Sequence, residues 1–231
     1  VNIAIIPARG GSKRIPRKNV KPFLGQPVIA YTIEALRGCG LFDHVIVSTD
    51  DAEIAAIARD FGAATPFARP ADLSDDEAST DAVLVHAIAE AQRIYGPLEH
   101  GCCAYPVNPL LTADELVRGL EVLTARQAAS AFPVTRYDFP IEQALLLEEG
   151  RPRFRGPEMI DMSSQDLPVH YHDAGMFYWF DVAKFQRLEA LFSSESVAFE
   201  IESARCQDVN TPDDWALAEL KYLRLKGRLD R

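Results

Sequence analysis

The stretch VNIAIIPARGGSKRIPRKNVKPFLGQP, Val1 to Pro27, decides how the rest of the chain is read. Val1 to Ile6 is almost continuously apolar, the pattern of a strand buried on both faces. Two glycines, a serine and six cations (Arg9, Lys13, Arg14, Arg17, Lys18 and Lys21) then follow within a few turns of chain. Ligands of an open α/β sheet bind beyond the carboxyl ends of its strands, and the loop after the first strand is the usual place. Gly10 and Gly11 allow the backbone close to a ligand with its N–H groups turned inward, Ser12 adds a hydroxyl donor, and the cations add charge. Polyphosphate is the ligand class that uses all three. The loop is neither GxGxxG nor GxxxxGK[ST], so it is neither the dinucleotide fingerprint nor a Walker loop.

The rest of the chain gives that cationic loop an acidic setting. The net charge is −10 over 231 residues, which argues against general nucleic-acid binding, a property of basic faces. With 48% hydrophobic and 25% charged residues, the composition is that of an ordinary globular protein. No apolar run approaches the roughly 20 residues of a membrane span, and no charged-then-apolar leader precedes the first strand. The expectation is a cytoplasmic protein without membrane contact. Cys39, Cys102, Cys103 and Cys206 form no CxxC pair and read as small buried hydrophobes. Cys102 and Cys103, neighbours on one strand, point to opposite faces.

Working outward from the loop, apolar runs alternate with helical patterns. Strands are expected at Ile3–Ile6, from His44 (HVIVST), at Gly101–Tyr105 and from Ala128 (AASAFPVT). Helices are expected at Val28–Leu36, Ala52–Phe61, Thr80–Ile94 and Thr112–Ala125, the last capped by Thr112. This alternation predicts a Rossmann-like three-layer α/β/α sandwich around a mostly parallel sheet. The rhythm breaks over about 140–173, which is rich in Pro, Gly and Arg. It reads as an inserted arm with a hairpin turning at Glu149-Gly150, and as a candidate dimer contact within one domain, 1–231. AGMFYWF returns as a core strand, and an amphipathic helix from Pro212 to about Lys226 ends the chain.

Several segments carry a resemblance. PARGGSKRIPRKNVKPFLGQP is similar to the ARxGSKxxPxKN motif of the cytidylyltransferases that activate nine-carbon acidic sugars, the CMP-nonulosonic acid synthetase family. KRIPRKN and YHDAGMFYWF resemble most the pseudaminic acid cytidylyltransferases of that family. FARPADLSDDEASTDAVLVHAI resembles the segment that holds ribose and cytosine, and AYPVNPLLT the segment after the central strand. SSQDL, from Ser163, resembles the RSQDL segment of that subfamily, and QDVNTPDDW a DxD-like motif late in the family's chain. The chain departs from the resembled motifs at Tyr105, Leu111, Ser163, Met176 and Asn210, where Gln, Arg, Arg, Gln and Asp are usual.

The resemblance implies a reaction of CTP with a nonulosonic acid, with pseudaminic acid as the sugar, giving the CMP-sugar and pyrophosphate, with Mg²⁺ as cofactor and a homodimer as the working form. It implies that Arg9, Ser12 and Lys18 hold the triphosphate, with Ala8, Gly11 and Asn19 also contacting substrate. Lys13 and Lys21 would add field. Arg69, Ala78 and Thr80 would hold the nucleoside, and Tyr105 would border the substrate. Asp208 and Asn210, in QDVNTPDDW, occupy the metal-motif positions; Asp213 and Asp214 fit the first turn of the last helix. Gln165, His170, His172 and Arg153 or Arg155 are candidates for the sugar carboxylate; His170 and His172 would share a face of an extended strand. Sialic or legionaminic acid, or a non-catalytic nucleotide-binding role, are the alternatives. An octulosonic acid fits least, because AYPVNP has no carboxylate.

Overall fold

The computed structural model describes residues 1–228. Apart from the short antiparallel pair Pro22–Phe23 and Gln26–Pro27, its strands in chain order are β1 (Asn2–Pro7), β2 (His44–Ser48), β3 (His100–Ala104), β4 (Ser130–Arg136), β5 (Leu145–Glu148), β6 (Arg151–Phe154), β7 (Tyr171–Asp173), β8 (Phe177–Asp181) and β9 (Ser196–Glu200). A seven-stranded sheet has the order β9-β4-β8-β3-β1-β2, with β7 also pairing with β4. β1 runs parallel to β2 and β3, and β9 runs parallel to β4. The helices are α1 (Val28–Gly38), α2 (Ala52–Asp60), α3 (Thr80–Tyr95), α4 (Ala113–Arg126), α5 (Val182–Leu188) and α6 (Pro212–Leu225).

The period-2 alternation of β1 and β3 explains the layers. Ala4, Ile6 and Cys102 face α1, α2 and α4, packing with Ile29, Ile33, Ile54 and Leu116. Ile3, Ile5 and Cys103 face α3 and α5, packing with Leu84, Ile88 and Phe185. The two adjacent cysteines thus lie on opposite faces, both fully buried. Three layers with the sheet in the middle are the expected sandwich, and the expected helices and strands are present within a few residues of their anticipated ends.

Three features were not legible. The returning strand is antiparallel to both β3 and β4, because it arrives from the arm and not from a crossover helix. It also begins at Phe177 and not Ala174. β7 and β8 both pair with β4, and Ala174–Met176 bulges out between them, with Gly175 at φ +64. Such a bulge bends a strand and re-aims its residues, and it makes Tyr171–Asp173 part of the main sheet, so the arm ends before the expected Asp173. Finally, Thr112 precedes α4 but caps no backbone N–H; its hydroxyl donates to Glu115 Oε2 at 3.1 Å.

The arm's hairpin turns where expected. Glu149 and Gly150 have φ of 50° and 79°, the two positive values that a tight two-residue turn requires. α6 is docked by Phe23, Tyr31, Trp215 and Tyr222, whose rings meet edge-to-face at 5.2 to 5.8 Å, an arrangement that adds to simple burial. The capping box of Thr211 and Asp214 starts this helix. Asp208 precedes it by a few residues, so the docking of α6 carries Asp208 to the end of β1.

Candidate active site

A cavity of about 680 Å³ opens at the carboxyl ends of β1 and β3. Its walls include Arg9, Ser12, Lys13, Arg14, Lys18 and Asn19 from the first loop, Thr80 and Tyr105 from the nucleoside-like segments, and Gly175, Asp208 and Val209 from the returning chain. A smaller recess adjoins it, lined by Arg69, Ala78, Thr80 and Tyr105. Two distant sequence segments thus meet the loop at one place.

The loop is held by its own side chains. Asn19 is buried and donates to the Arg9 carbonyl at 2.9 Å. Arg17 takes the left-handed conformation at φ 54° and donates to both Asp51 carboxylate oxygens, at 2.5 and 3.0 Å. Asp51 in turn caps α2 through the N–H groups of Glu53 and Ile54. The Arg17 guanidinium holds the Asp51 carboxyl down at about 2. Gly10 lies against the same carboxylate: a Cβ there would meet Asp51 Oδ2 at 2.6 Å. Gly10, and not Gly11, is therefore the glycine that close approach requires. Lys21 sits over the Trp215 ring at 4.4 Å and anchors α6.

Two cations reach the returning chain. Lys18 Nζ donates to the Val209 carbonyl at 2.8 Å. Burial pushes its ammonium below the ordinary lysine range, with the Asp208 charge opposing. Arg14 donates to Asn210 Oδ1 at 2.6 Å, and Asn210 Nδ2 donates to Asp208 Oδ2 at 2.5 Å. A guanidinium can only donate and a carboxylate only accept, so this orientation of the amide is forced. The one Asn210 atom able to ligate a metal is thereby occupied by Arg14. Asp208 is exposed beside Gly175; a Cβ on Gly175 would approach the Asp208 side chain at 3.5 Å. Among the described residues no group of three or more His, Cys, Asp or Glu could hold a metal ion. One cavity-facing carboxylate does fit Mg²⁺, which takes one or two carboxylates together with substrate phosphates and water.

On the side of the smaller recess, Ser79 caps α3 by accepting from Ala82 N. Thr80 is left free to face the cavity, its hydroxyl 3.3 Å from that of Tyr105. Burial raises the Tyr105 phenol, which stays protonated and able to donate. Arg69 is buried, bonded to the Ser48 carbonyl and to Ser48 Oγ at 3.2 Å. It stiffens the recess floor as well as lining it. Ala8 is wholly buried with its N–H on Ser48 O at 3.0 Å, so it positions the loop, and Gly11 does not line the cavity.

The arm candidates do not join this cavity. Gln165 is exposed on a single turn at Ser164–Asp166. His170 Nδ1 is 3.2 Å from both the Pro168 carbonyl and Glu142 Oε1. His172 contacts the Asp173 carbonyl at 2.8 Å and packs on Tyr137. Arg153 pairs with Glu148 across the hairpin at 2.7 Å. Of the five departures from the resembled motifs, Leu111 and Met176 are buried in the core and Ser163 is exposed on the arm. Tyr105 faces the cavity, and Asn210 stands behind Asp208. Sequence reasoning missed Arg14, Gly175 and Asp76 as cavity residues. Asp76 had a signal: it lies between Arg69 and Thr80 in the segment already assigned to the nucleoside.

The chain matches the Cytidylyltransferase family over residues 3–202. It is 40% identical over 222 residues to the pseudaminic acid cytidylyltransferase of Campylobacter jejuni, covering 96% of each chain. It is 26% identical to the CMP-N,N'-diacetyllegionaminic acid synthase of Legionella pneumophila, covering 94% of each. A solved CMP:2-keto-3-deoxy-manno-octonic acid synthetase complexed with CTP superposes with a TM-score of 0.69 at 17% identity, over 98% of this chain and 99% of that one; this likeness concerns the fold.

Proposed function

Since the chain belongs to the cytidylyltransferase family, we propose that it activates pseudaminic acid, converting CTP and the free sugar to CMP-pseudaminic acid and pyrophosphate. The observation that carries this reading is the convergence of Arg9, Lys13, Arg14 and Lys18 on a cavity whose other wall is the Thr80–Tyr105 recess. That is a polyphosphate cradle next to a space for a base. The higher identity to the Campylobacter pseudaminic acid enzyme than to the legionaminic acid synthase supports this choice of sugar.

In the proposed reaction the sugar's anomeric oxygen forms a bond to the α-phosphorus. The bond to the bridging oxygen breaks in line, its electron pair leaves with pyrophosphate, and the hydroxyl proton passes to solvent. Arg9, Ser12, Arg14 and Lys18 hold the triphosphate, and the cations stabilise the charge that develops on the leaving oxygens. Thr80, Tyr105 and the Arg69 recess position the nucleoside. Asp208 would hold Mg²⁺ jointly with the phosphates; when bound, the metal neutralises phosphate charge.

Pyrophosphate release from CTP and Mg²⁺, measured over a panel of nonulosonic acids, tests the assignment. Pseudaminic acid should give a kcat/KM at least about tenfold above the others, the discrimination a few polar contacts provide. Faster release with legionaminic or N-acetylneuraminic acid would move the assignment to that sugar. CTP binding without release from any sugar would leave a nucleotide-binding homologue.

A homodimer through the arm is part of the proposal. Phe139 is 82% and Leu147 71% exposed, and Leu145 and Leu146 are exposed on the same strand as Leu147; exposed apolar side chains of this size mark an interface when they cluster. Sedimentation should give twice the chain mass, and Phe139→Asp with Leu147→Asp should return it to the single-chain value; a wild-type monomer at micromolar concentration would refute the dimer. No helix among the described residues is long and apolar enough to cross a membrane, and the cytoplasmic location proposed for the chain follows from its use of CTP.

A further inference from the structure

We propose that Asp76 competes with phosphate for the cations of the first loop, so that a polyphosphate enters by displacing its carboxylate and pyrophosphate leaves as that carboxylate returns. The inference rests on the polyphosphate reading of the cavity. Arg9 Nη1 lies 2.6 Å from Asp76 Oδ1, and Lys13 Nζ pairs with Asp76 Oδ2. One carboxylate therefore bridges the two cations, an oxygen to each, and all three side chains line the cavity. A carboxylate bridging two cations occupies the donors that two phosphate oxygens would use.

The turn that carries Asp76 is built to present it. Asp75 Oδ1 accepts from the N–H groups of Glu77 and Ala78 at 2.9 and 2.8 Å, closing a tight local turn. The Asp75 carbonyl accepts from Arg9 Nη1 at 2.8 Å, which ties this turn to the first loop across 66 residues of sequence. Lys13 and then Arg9 hold the Asp76 carboxyl below the usual carboxylate range, so it is ionised at neutral pH.

The contact is weak enough to exchange. The side chains of Arg9, Asp76 and Lys13 are 35%, 41% and 81% exposed, and ion pairs at such exposure contribute little and are screened by salt. A polyphosphate brings more charge and more acceptors than one carboxylate, so it wins the cations on entry. Once the triphosphate is cleaved, the smaller anion faces a competitor that is tethered and therefore always at high local concentration. Asp76 would thus lower affinity for substrate and product alike and speed product release.

Calorimetric binding of sodium tripolyphosphate and pyrophosphate, without nucleotide or sugar, tests this on the full chain. Wild type is compared with Asp76→Asn and with Glu77→Gln, which removes one charge from the same turn at an exposed side chain without an assigned cation contact. Asp76→Asn should bind both anions about three- to tenfold more tightly, the release of two exposed ion pairs, with the gain shrinking as salt rises. Glu77→Gln should change affinity less than about twofold, the effect of an exposed, screened charge that pairs with neither cation. Equal tightening in both variants would reduce the effect to net charge and overturn the proposal. Weaker binding in Asp76→Asn would make Asp76 a supporting group of the site and also overturn it, as would no anion binding by any variant. If wild type binds tripolyphosphate yet releases no pyrophosphate with any sugar, the cytidylyl-transfer reading fails while the Asp76 comparison is still decided by the affinities.

Discussion

Asp208→Ala should lower CTP-dependent pyrophosphate release by about 100- to 1,000-fold, the effect of losing several kcal/mol of charge stabilisation at the phosphates. Asp208 is the carboxylate of the returning chain that lines the cavity, next to Gly175 and within the field of Lys18. It accepts from Asn210 through Oδ2, which leaves its other oxygen to the cavity. Removing it should leave the fold intact, because the residue is exposed and packs no core. Circular dichroism and the thermal midpoint check that. The binding readout is the Mg²⁺ dependence of CTP affinity, which should be strong in wild type and nearly flat in the variant. Full activity, or an unchanged Mg²⁺ dependence, would remove Asp208 from the metal-binding role.

The companion change, Asn210→Asp, separates position from charge. Arg14 sits on the amide oxygen at 2.6 Å, so a carboxylate placed there would pair with the guanidinium first. The Mg²⁺ requirement should therefore move by less than about threefold, a shift within the range of one partly exposed ion pair. A tenfold lower requirement would show that position 210 reaches the metal after all.

Lys18→Met should lower kcat by about 100- to 1,000-fold, comparable to the loss of one preorganised donor to a developing oxyanion. Methionine keeps the length and apolar stem, so the half-buried position is still filled. The Val209 carbonyl loses its 2.8 Å partner, and Lys18→Arg keeps a cation there as a control. The pH profile provides an independent signal. The pKa of Lys18 is pushed below the ordinary lysine value of 10.5, mainly by burial. The group is a cation below its folded pKa and neutral above it. Triphosphate affinity should therefore fall as pH rises through the folded-state pKa, with an inflection below 10.5. In Lys18→Arg that alkaline fall should vanish, since arginine does not titrate in this range. An alkaline limb identical in wild type and Lys18→Arg would assign the titration elsewhere. For stability the sign is opposite: the unfolded state binds the proton more tightly, so deprotonation of Lys18 favours the folded state as pH rises through that window.

The elements of the fold were legible because each is written locally. β1 is a run of apolar residues, α3 an amphipathic period after Ser79, and the Glu149-Gly150 turn a dipeptide that tolerates positive φ. The antiparallel β8 was not legible, since AGMFYWF reads the same in either direction and only its pairing with Ala131 and Cys102 sets its sense. The Ala174–Met176 bulge was hidden for the same reason: a bulge is a mismatch between two strands, and one strand alone does not record it.

By itself the sequence determined the cationic loop, its place after the first strand, and the acidic setting that makes it an anion site. Residues joined by a few bonds of chain are bound to be neighbours, so a motif there is a statement about space. Only the tertiary structure decided which of the six cations face the cavity. Arg17 turns away to Asp51 and Lys21 to Trp215, while Lys18 and Arg14 meet Val209 and Asn210 across 191 and 196 residues. Those meetings exist because the aromatic cluster docks α6 on the loop and the bulge brings Gly175 beside Asp208. Burial of apolar surface, which is non-directional and blind to sequence distance, drove both, and the polar partners were then fixed by whichever donors and acceptors that packing left within 3 Å of each other.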